Sequence, residues 1–230
     1  VIIHPADGSG EDFKLLGCLI DVQLRMEHAI DTLIARARPK IQALLKTQSM
    51  YSVSDMLLQY KTHIWSILEY QNGTIMHAAP SLLAKLDDMQ KSFVHKLILI
   101  LTEPLAFLDF NLAPPGMRRD IGILGFLHKR VLGQCHVAIK QLLPFIAPHP
   151  IWHDQQLESH IETCIARPTL FCRSLFGMVA VYNRLPQEVV ESTTVKQFQT
   201  KLTQIAKAKC DNGCPSWQRI WHTPCAWTHM

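Results

Sequence analysis

The 230-residue sequence predicts a mainly α-helical protein, a multi-helix bundle preceded by a short N-terminal β-hairpin. Three observations carry this. Apolar residues recur in steps of three and four over long stretches, as in Met26, Ile30, Leu33, Ala37, Ile41 and Leu44, which lays them along one face of a helix. Helix signals bracket such stretches: Ser52, with Asp55 three residues later, opens one and Asn72-Gly73 closes it. Ahead of them, the apolar stretches at Val1 and Phe13 flank a turn-rich run of Pro5, Asp7, Gly8, Ser9 and Gly10, the pattern of a strand, a turn and a return strand. Hydrophobic residues make up 48% of the chain, with mean hydropathy +0.07. That supplies a core and argues against disorder except at the ends.

The first helix runs to about Lys46. Pro39 falls on its solvent side, where it either kinks the helix or begins a second one. Arg36 and Lys40, four apart, share an edge of the apolar stripe, as solvated flank charges or as phosphate contacts. Val53, Met56, Leu57, Tyr60, Ile64, Ile67 and Leu68 form the second stripe, and Trp65 with Leu58 suggests a second buried face. Pro80 and Ser81 open a third helix along Leu82, Leu86, Met89, Phe93 and Leu97. The proline-bounded stretch 103–115 reads as a connector and subdomain boundary.

Beyond it, residues 117–132 read as a helix with Ile121, Leu124, Val131 and Leu132 inward. Arg118, Arg119, Lys129 and Arg130 are expected together on its outer side, within an arc of about 120°. Gly122 and Gly125 weaken this helix by up to ~1 kcal/mol each, which marks them as positions of close packing. A shorter helix over 134–145 ends at Pro144, and the stretch around Pro148 and Pro150 has no periodicity. Phe171, Leu175, Met178, Val179 and Tyr182 give another helical face, broken at Asn183-Arg184-Leu185-Pro186, and Val195, Phe198, Leu202 and Ile205 give the last. The tail from Asp211 is turn-like and rich in tryptophan.

Phe13-Lys14-Leu15-Leu16-Gly17-Cys18-Leu19-Ile20-Asp21 reads as an apolar strand that carries a glycine, ends on an acid and passes directly into the first helix. It resembles the segment after the catalytic palm of non-LTR (LINE-like) retrotransposon reverse transcriptases, which holds the primer end. The similarity continues, in the family's order, at Gln42-Ala43-Leu44-Leu45, Leu58-Gln59-Tyr60-Lys61, Glu69-Tyr70 and Tyr182-Asn183-Arg184-Leu185-Pro186, and covers most of the chain loosely. The resemblance implies the end of a palm in residues 1–22, a thumb-like helical bundle in 23–102 and a C-terminal extension in 103–209, followed by an irregular Cys/His/Trp tail in 210–230. It implies a parent RNA-directed DNA polymerase that uses Mg²⁺, with an RNA/DNA primer-template and the remainder of the polymerase chain as partners. Leu16 and Gly17 would then shape the primer-end strand, and Arg36, Arg38 and Lys40 would lie near backbone phosphates. The catalytic carboxylates would lie upstream of Val1, so this chain would hold nucleic acid rather than perform the chemistry. Asp87-Asp88 does not replace them: neighbours in a helix point about 100° apart, and no third carboxylate has a readable spacing to the pair.

The remaining chemistry is sparse. No Gly-rich phosphate loop, Gly-x-Ser-x-Gly elbow or His-Glu-x-x-His pair occurs, so a self-sufficient enzyme is not expected. The formal charge of +4 favours polyanion contact only weakly. Seven cysteines, an odd number in a chain of this size, point to a reducing compartment, the nucleus or cytoplasm. The longest strongly apolar run, 97–101, is far short of the ~20 residues of a membrane helix, so no membrane partner is expected. A first residue of Val suggests a piece of a longer protein. Cys210, Cys214, His222 and Cys225 have zinc-type side chains, but their final gap is shorter than in the similar polymerase knuckles, and convergence on a metal is not expected. Two further function classes stay open: a helical protein-interaction scaffold, such as an inactive retroelement remnant, and a zinc-dependent binding module around Cys210.

Overall fold

The computed structural model describes residues 12–97, 112–145 and 174–221. It is mainly helical, with one short antiparallel sheet of two strands at the N-terminal end. The chain forms two compact units that divide between Pro115 and Gly116.

In the first unit, β1 (Asp12–Leu15) pairs with β2 (Cys18–Asp21), placing Phe13 opposite Ile20 and Leu15 opposite Cys18. Leu16 and Gly17 form the connection, with φ of 50° and 85°. Two positive φ values in a two-residue loop make the tight turn whose twist matches the flanking strands. This corrects the reading of the 13–21 stretch as one strand. Gly17 sits in the turn, where its backbone needs the left-handed region, and the strand partner of Phe13 lies downstream of it. The expected partner at Val1 and the turn at Pro5–Gly10 lie outside the described residues.

Helix α1 (Glu27–Lys46) continues through Pro39 without a break. It buries Ile30, Leu33, Ala37 and Ile41 against α5 (Pro80–Leu97) and the segment between them. That segment is a single bent path: α2 (Val53–Tyr60), one π-helical turn (Lys61–Trp65), α3 (Ser66–Glu69) and the short α4 (Asn72–Ile75). The expected capping signature is present, since the Ser52 hydroxyl accepts from the Asp55 N–H and the Asp55 carboxylate accepts from the Ser52 N–H. The wider π turn keeps Tyr60, Ile64 and Leu68 all on the buried side, and Tyr60 stacks on Phe93 with ring centres 4.4 Å apart. Val53 does not join this core but is exposed, as befits the first residue of its helix.

In the second unit, α6 (Pro115–Val131) buries Met117, Ile121, Leu124 and Leu127. It is followed by α7 (Val137–Leu142), α8 (Leu175–Tyr182), α9 (Gln187–Val190) and α10 (Val195–Asp211). Both long helices stop in the same way. After α6 the N–H groups of Gly133 and Gln134 donate to Arg130 and Lys129, and after α10 those of Gly213 and Cys214 donate to Cys210 and Lys209. Each stop places a glycine at φ near 70°, the conformation this cap needs. Of the two glycines expected in close packing, only Gly125 fits. A Cβ there would meet the Gln199 side chain, whereas Gly122 faces open space.

Candidate nucleic-acid interface

The hairpin turn is the most specifically held feature of the first unit. Two consecutive residues at the end of α3 reach two consecutive carbonyls of the turn: the Tyr70 hydroxyl donates to the Leu16 oxygen and the Gln71 Nε2 to the Gly17 oxygen, each at 3.0 Å. The Tyr70 ring passes 3.9 Å from where a Gly17 Cβ would stand. Leu16 projects outward with 83% exposure, and Tyr70 beside it is 69% exposed.

The other end of the hairpin is clipped by Asp21. Its carboxylate accepts from the backbone N–H of Arg25 at 2.9 Å and of Met26 at 2.6 Å. This closes a turn in which Leu24 and Met26 both have positive φ, and leads Met26 into the core as the residue before α1. Burial alone would raise the Asp21 carboxyl, but hydrogen bonds from the backbone of Arg25, Met26 and Gln23 outweigh it and hold the group below its ordinary range. The hairpin is thus fixed at both ends.

Among the predicted cations, Arg36, Arg38 and Lys40 are all exposed on α1. They do not share a face. Arg36 and Lys40 lie about 40° apart at one edge of the buried stripe, and Arg38 lies roughly half a turn away.

The second cationic set needs correction. Arg119 and Arg130 are 7% and 6% exposed, Arg118 is half-buried and only Lys129 is open. The reason is that α6 is covered on more than one side. Its exposed positions are Gly122, Phe126 and Lys129, a sector only about 60° wide, with Arg119 and Arg130 on the flank next to it. Arg130 donates from Nε to the Leu143 oxygen at 2.9 Å and stacks over the Phe145 ring at 4.2 Å, so it pins the segment after α7. The four residues are therefore not one wet basic surface.

Asp87 is half-buried and Asp88 exposed within α5. Cys210 lies in the last turn of α10 and Cys214 follows its glycine cap, where hydrogen bonding to the Ser216 hydroxyl and backbone draws the Cys214 thiol below its usual range. His222 and Cys225 lie outside the described residues. Among the described residues no group of three or more His, Cys, Asp and Glu could hold a metal, and no helix is long and apolar enough to cross a membrane.

Sequence reasoning missed one buried polar cluster. His128 on α6 is fully buried and stacks on Phe198 at 4.1 Å. Its Nε2 lies 2.8 Å from the Ser192 carbonyl oxygen and its Nδ1 3.0 Å from the Tyr182 hydroxyl. A carbonyl only accepts, so Nε2 carries the proton and Nδ1 accepts from Tyr182. The usable signal was His128 standing four residues after Leu124, on the apolar stripe itself. No family model, curated protein or solved structure matches the chain.

Proposed function

We propose that this chain holds nucleic acid as the non-catalytic C-terminal part of an RNA-directed DNA polymerase of the non-LTR retrotransposon type. The observation that supports this reading is the Leu16–Gly17 turn. A leucine in the left-handed region costs about 1–2 kcal/mol. Such strain persists where the surroundings enforce it, and it gathers at functional positions. Here Tyr70 and Gln71 hold both turn carbonyls while the Leu16 side chain faces solvent. A rigid apolar tip suits contact with the sugar and base edge of a strand end, and the exposed Arg36 and Lys40, on one edge of α1, supply cations for backbone phosphates. In this proposal Mg²⁺ and the catalytic carboxylates belong to the remainder of the polymerase.

Titrating the full chain with an RNA/DNA primer-template at several salt concentrations tests the reading. The expected result is affinity that falls linearly on a log–log plot against salt, the mark of released counterions. Absence of binding at low salt would overturn it. Exposed Met50, Tyr51 and Leu58 favour a second reading, a helical protein-interaction scaffold. A protein that binds no nucleic acid at any salt concentration would move the conclusion there.

A further inference from the structure

One side of α1 continues into a groove at the helix's C-terminal end. Arg38, Gln42 and Lys46 are spaced four apart and all exposed. At about 40° per step they form one slowly winding line, about 12 Å long at 1.5 Å per residue. The line ends in an open groove of about 480 Å³ lined by Gln42, Lys46, Gln48, His95 and Lys96, with Leu45 as its apolar component. Gln48 bridges its walls, donating from Nε2 to the Lys96 carbonyl oxygen at 3.4 Å.

The charge balance of the groove favours an anion. Its lining holds no carboxylate. Helix α1 ends beside it at Lys46, and a helix C-terminus contributes a partial charge of roughly −0.5. The ammonium groups of Lys46 and Lys96 exceed that charge, so they do more than neutralise the helix end. The amides of Gln42 and Gln48 add neutral donors between the cations. Evenly spaced donors and charges along a line of this length match the repeating oxygens of a phosphodiester chain.

We infer that the Arg38–Gln42–Lys46 side of α1 and the groove at its end form a track for the backbone of a single nucleic-acid strand, with Lys46 and Lys96 as the principal phosphate contacts. This rests on the nucleic-acid reading above and locates the path on the side of α1 away from Arg36 and Lys40. Because the groove offers charges and amides rather than a shaped base pocket, the track is indifferent to sequence and to the sugar.

The test uses the full chain, with fluorescence-labelled 12-nucleotide oligouridylate and oligothymidylate as probes and anisotropy read across salt concentrations. The double variant K46Q/K96Q should bind both probes about tenfold more weakly at low salt, and its log–log salt slope should be shallower by about 1.4, two charges at ~0.7 each for a single strand. Gln42→Glu, which adds a negative charge in mid-track, should weaken both probes in the same way and serves as the second variant if the double variant melts early. R36Q/K40Q, on the other side of the helix, should leave the contribution of the track intact, so its defect adds to that of K46Q/K96Q. If the unmodified chain binds neither probe, the nucleic-acid reading and the track fall together. If it binds both but K46Q/K96Q and Gln42→Glu bind as it does, only the track is overturned. Equal affinity for a 12-residue polyglutamate would also overturn it, since the groove would then be a patch for any acidic chain.

Discussion

The Tyr70 hydroxyl bonds to the Leu16 carbonyl oxygen across 54 positions of sequence, joining the end of a helix to the tip of a hairpin. Tyr70→Phe removes that bond and leaves the ring in place. We expect a loss of about 0.5–1.5 kcal/mol in the local stability of the hairpin, seen as faster amide exchange at Gly17 and Cys18. Exchange unchanged from that of the natural protein would show that Gln71 alone fixes the turn.

Gly17 and Cys18 should differ sharply in tolerance. Gly17→Val forces a β-branched residue to φ near 85° with the Tyr70 ring alongside, whereas Cys18→Ser changes one atom of a buried residue in a short strand. Strain of this kind costs about 1–3 kcal/mol. Thermal melts of the two variants check the order, and a less stable Cys18→Ser would reverse it.

That expectation was legible in the sequence for a reason that proved incomplete. Gly17 stands out as a glycine in an apolar run, but Pro5, Gly8 and Gly10 are the stronger turn signal, and a turn there runs a strand through Gly17. A Leu-Gly pair is not among the strong two-residue hairpin signals, and what makes it work is Tyr70 and Gln71, more than fifty residues away. The helices were readable where one face is buried, as in Met26 to Ile41, because burial on one side imposes a period of 3.6. Arg119 and Arg130 were misplaced because that logic assumes a single buried face. A helix covered from two directions hides long polar side chains that a helical wheel assigns to water. The π turn left no mark, since only hydrogen-bond spacing distinguishes it.

His128 should make the second unit acid-sensitive. Burial is the main influence that lowers its affinity for a proton and nearby Lys201 adds to it, against the opposing bond to the Ser192 carbonyl. A histidine pKa depressed on folding gives stability that is fully present above the unfolded value of about 6.5. That stability is lost as pH falls from there through the folded pKa, because only the unfolded state gains the proton in that window. Melting temperature between pH 7 and pH 5 should therefore drop in the natural protein and flatten in His128→Gln. An equal drop in both would assign the sensitivity to other groups.

The two glycines of α6 offer a matched pair. Gly122→Ala meets nothing within 4 Å and should stabilise by roughly 0.5–1 kcal/mol through helix propensity. Gly125→Ala would press against the end of the Gln199 side chain, which has to move aside, and should gain less than Gly122→Ala. Adding Gln199→Ala removes that contact and should restore the difference, so denaturant melts of the single and double variants measure the coupling.

Asp21 gives a test of the same sign at lower pH. Its carboxyl is held below the ordinary value on folding, so its contribution is complete above about 3.9 and is lost as pH falls through the folded pKa. Asp21→Asn keeps the shape of the acceptor but cannot titrate. Amide shifts of Arg25 and Met26 should move with acid in the natural protein and stay still in the variant.

The π-helical turn at Lys61–Trp65 means that the path from Tyr60 to Glu69 contains one residue more than an unbroken α-helix between the same points would use. The surplus is absorbed locally, so the faces on either side keep their phase. Here, therefore, the chain can be shortened by a residue without turning Tyr70 and Gln71 away from the hairpin. Adding a residue there has no such slack to draw on. Length variation among variants of this protein should accordingly run in one direction at these five positions, towards loss.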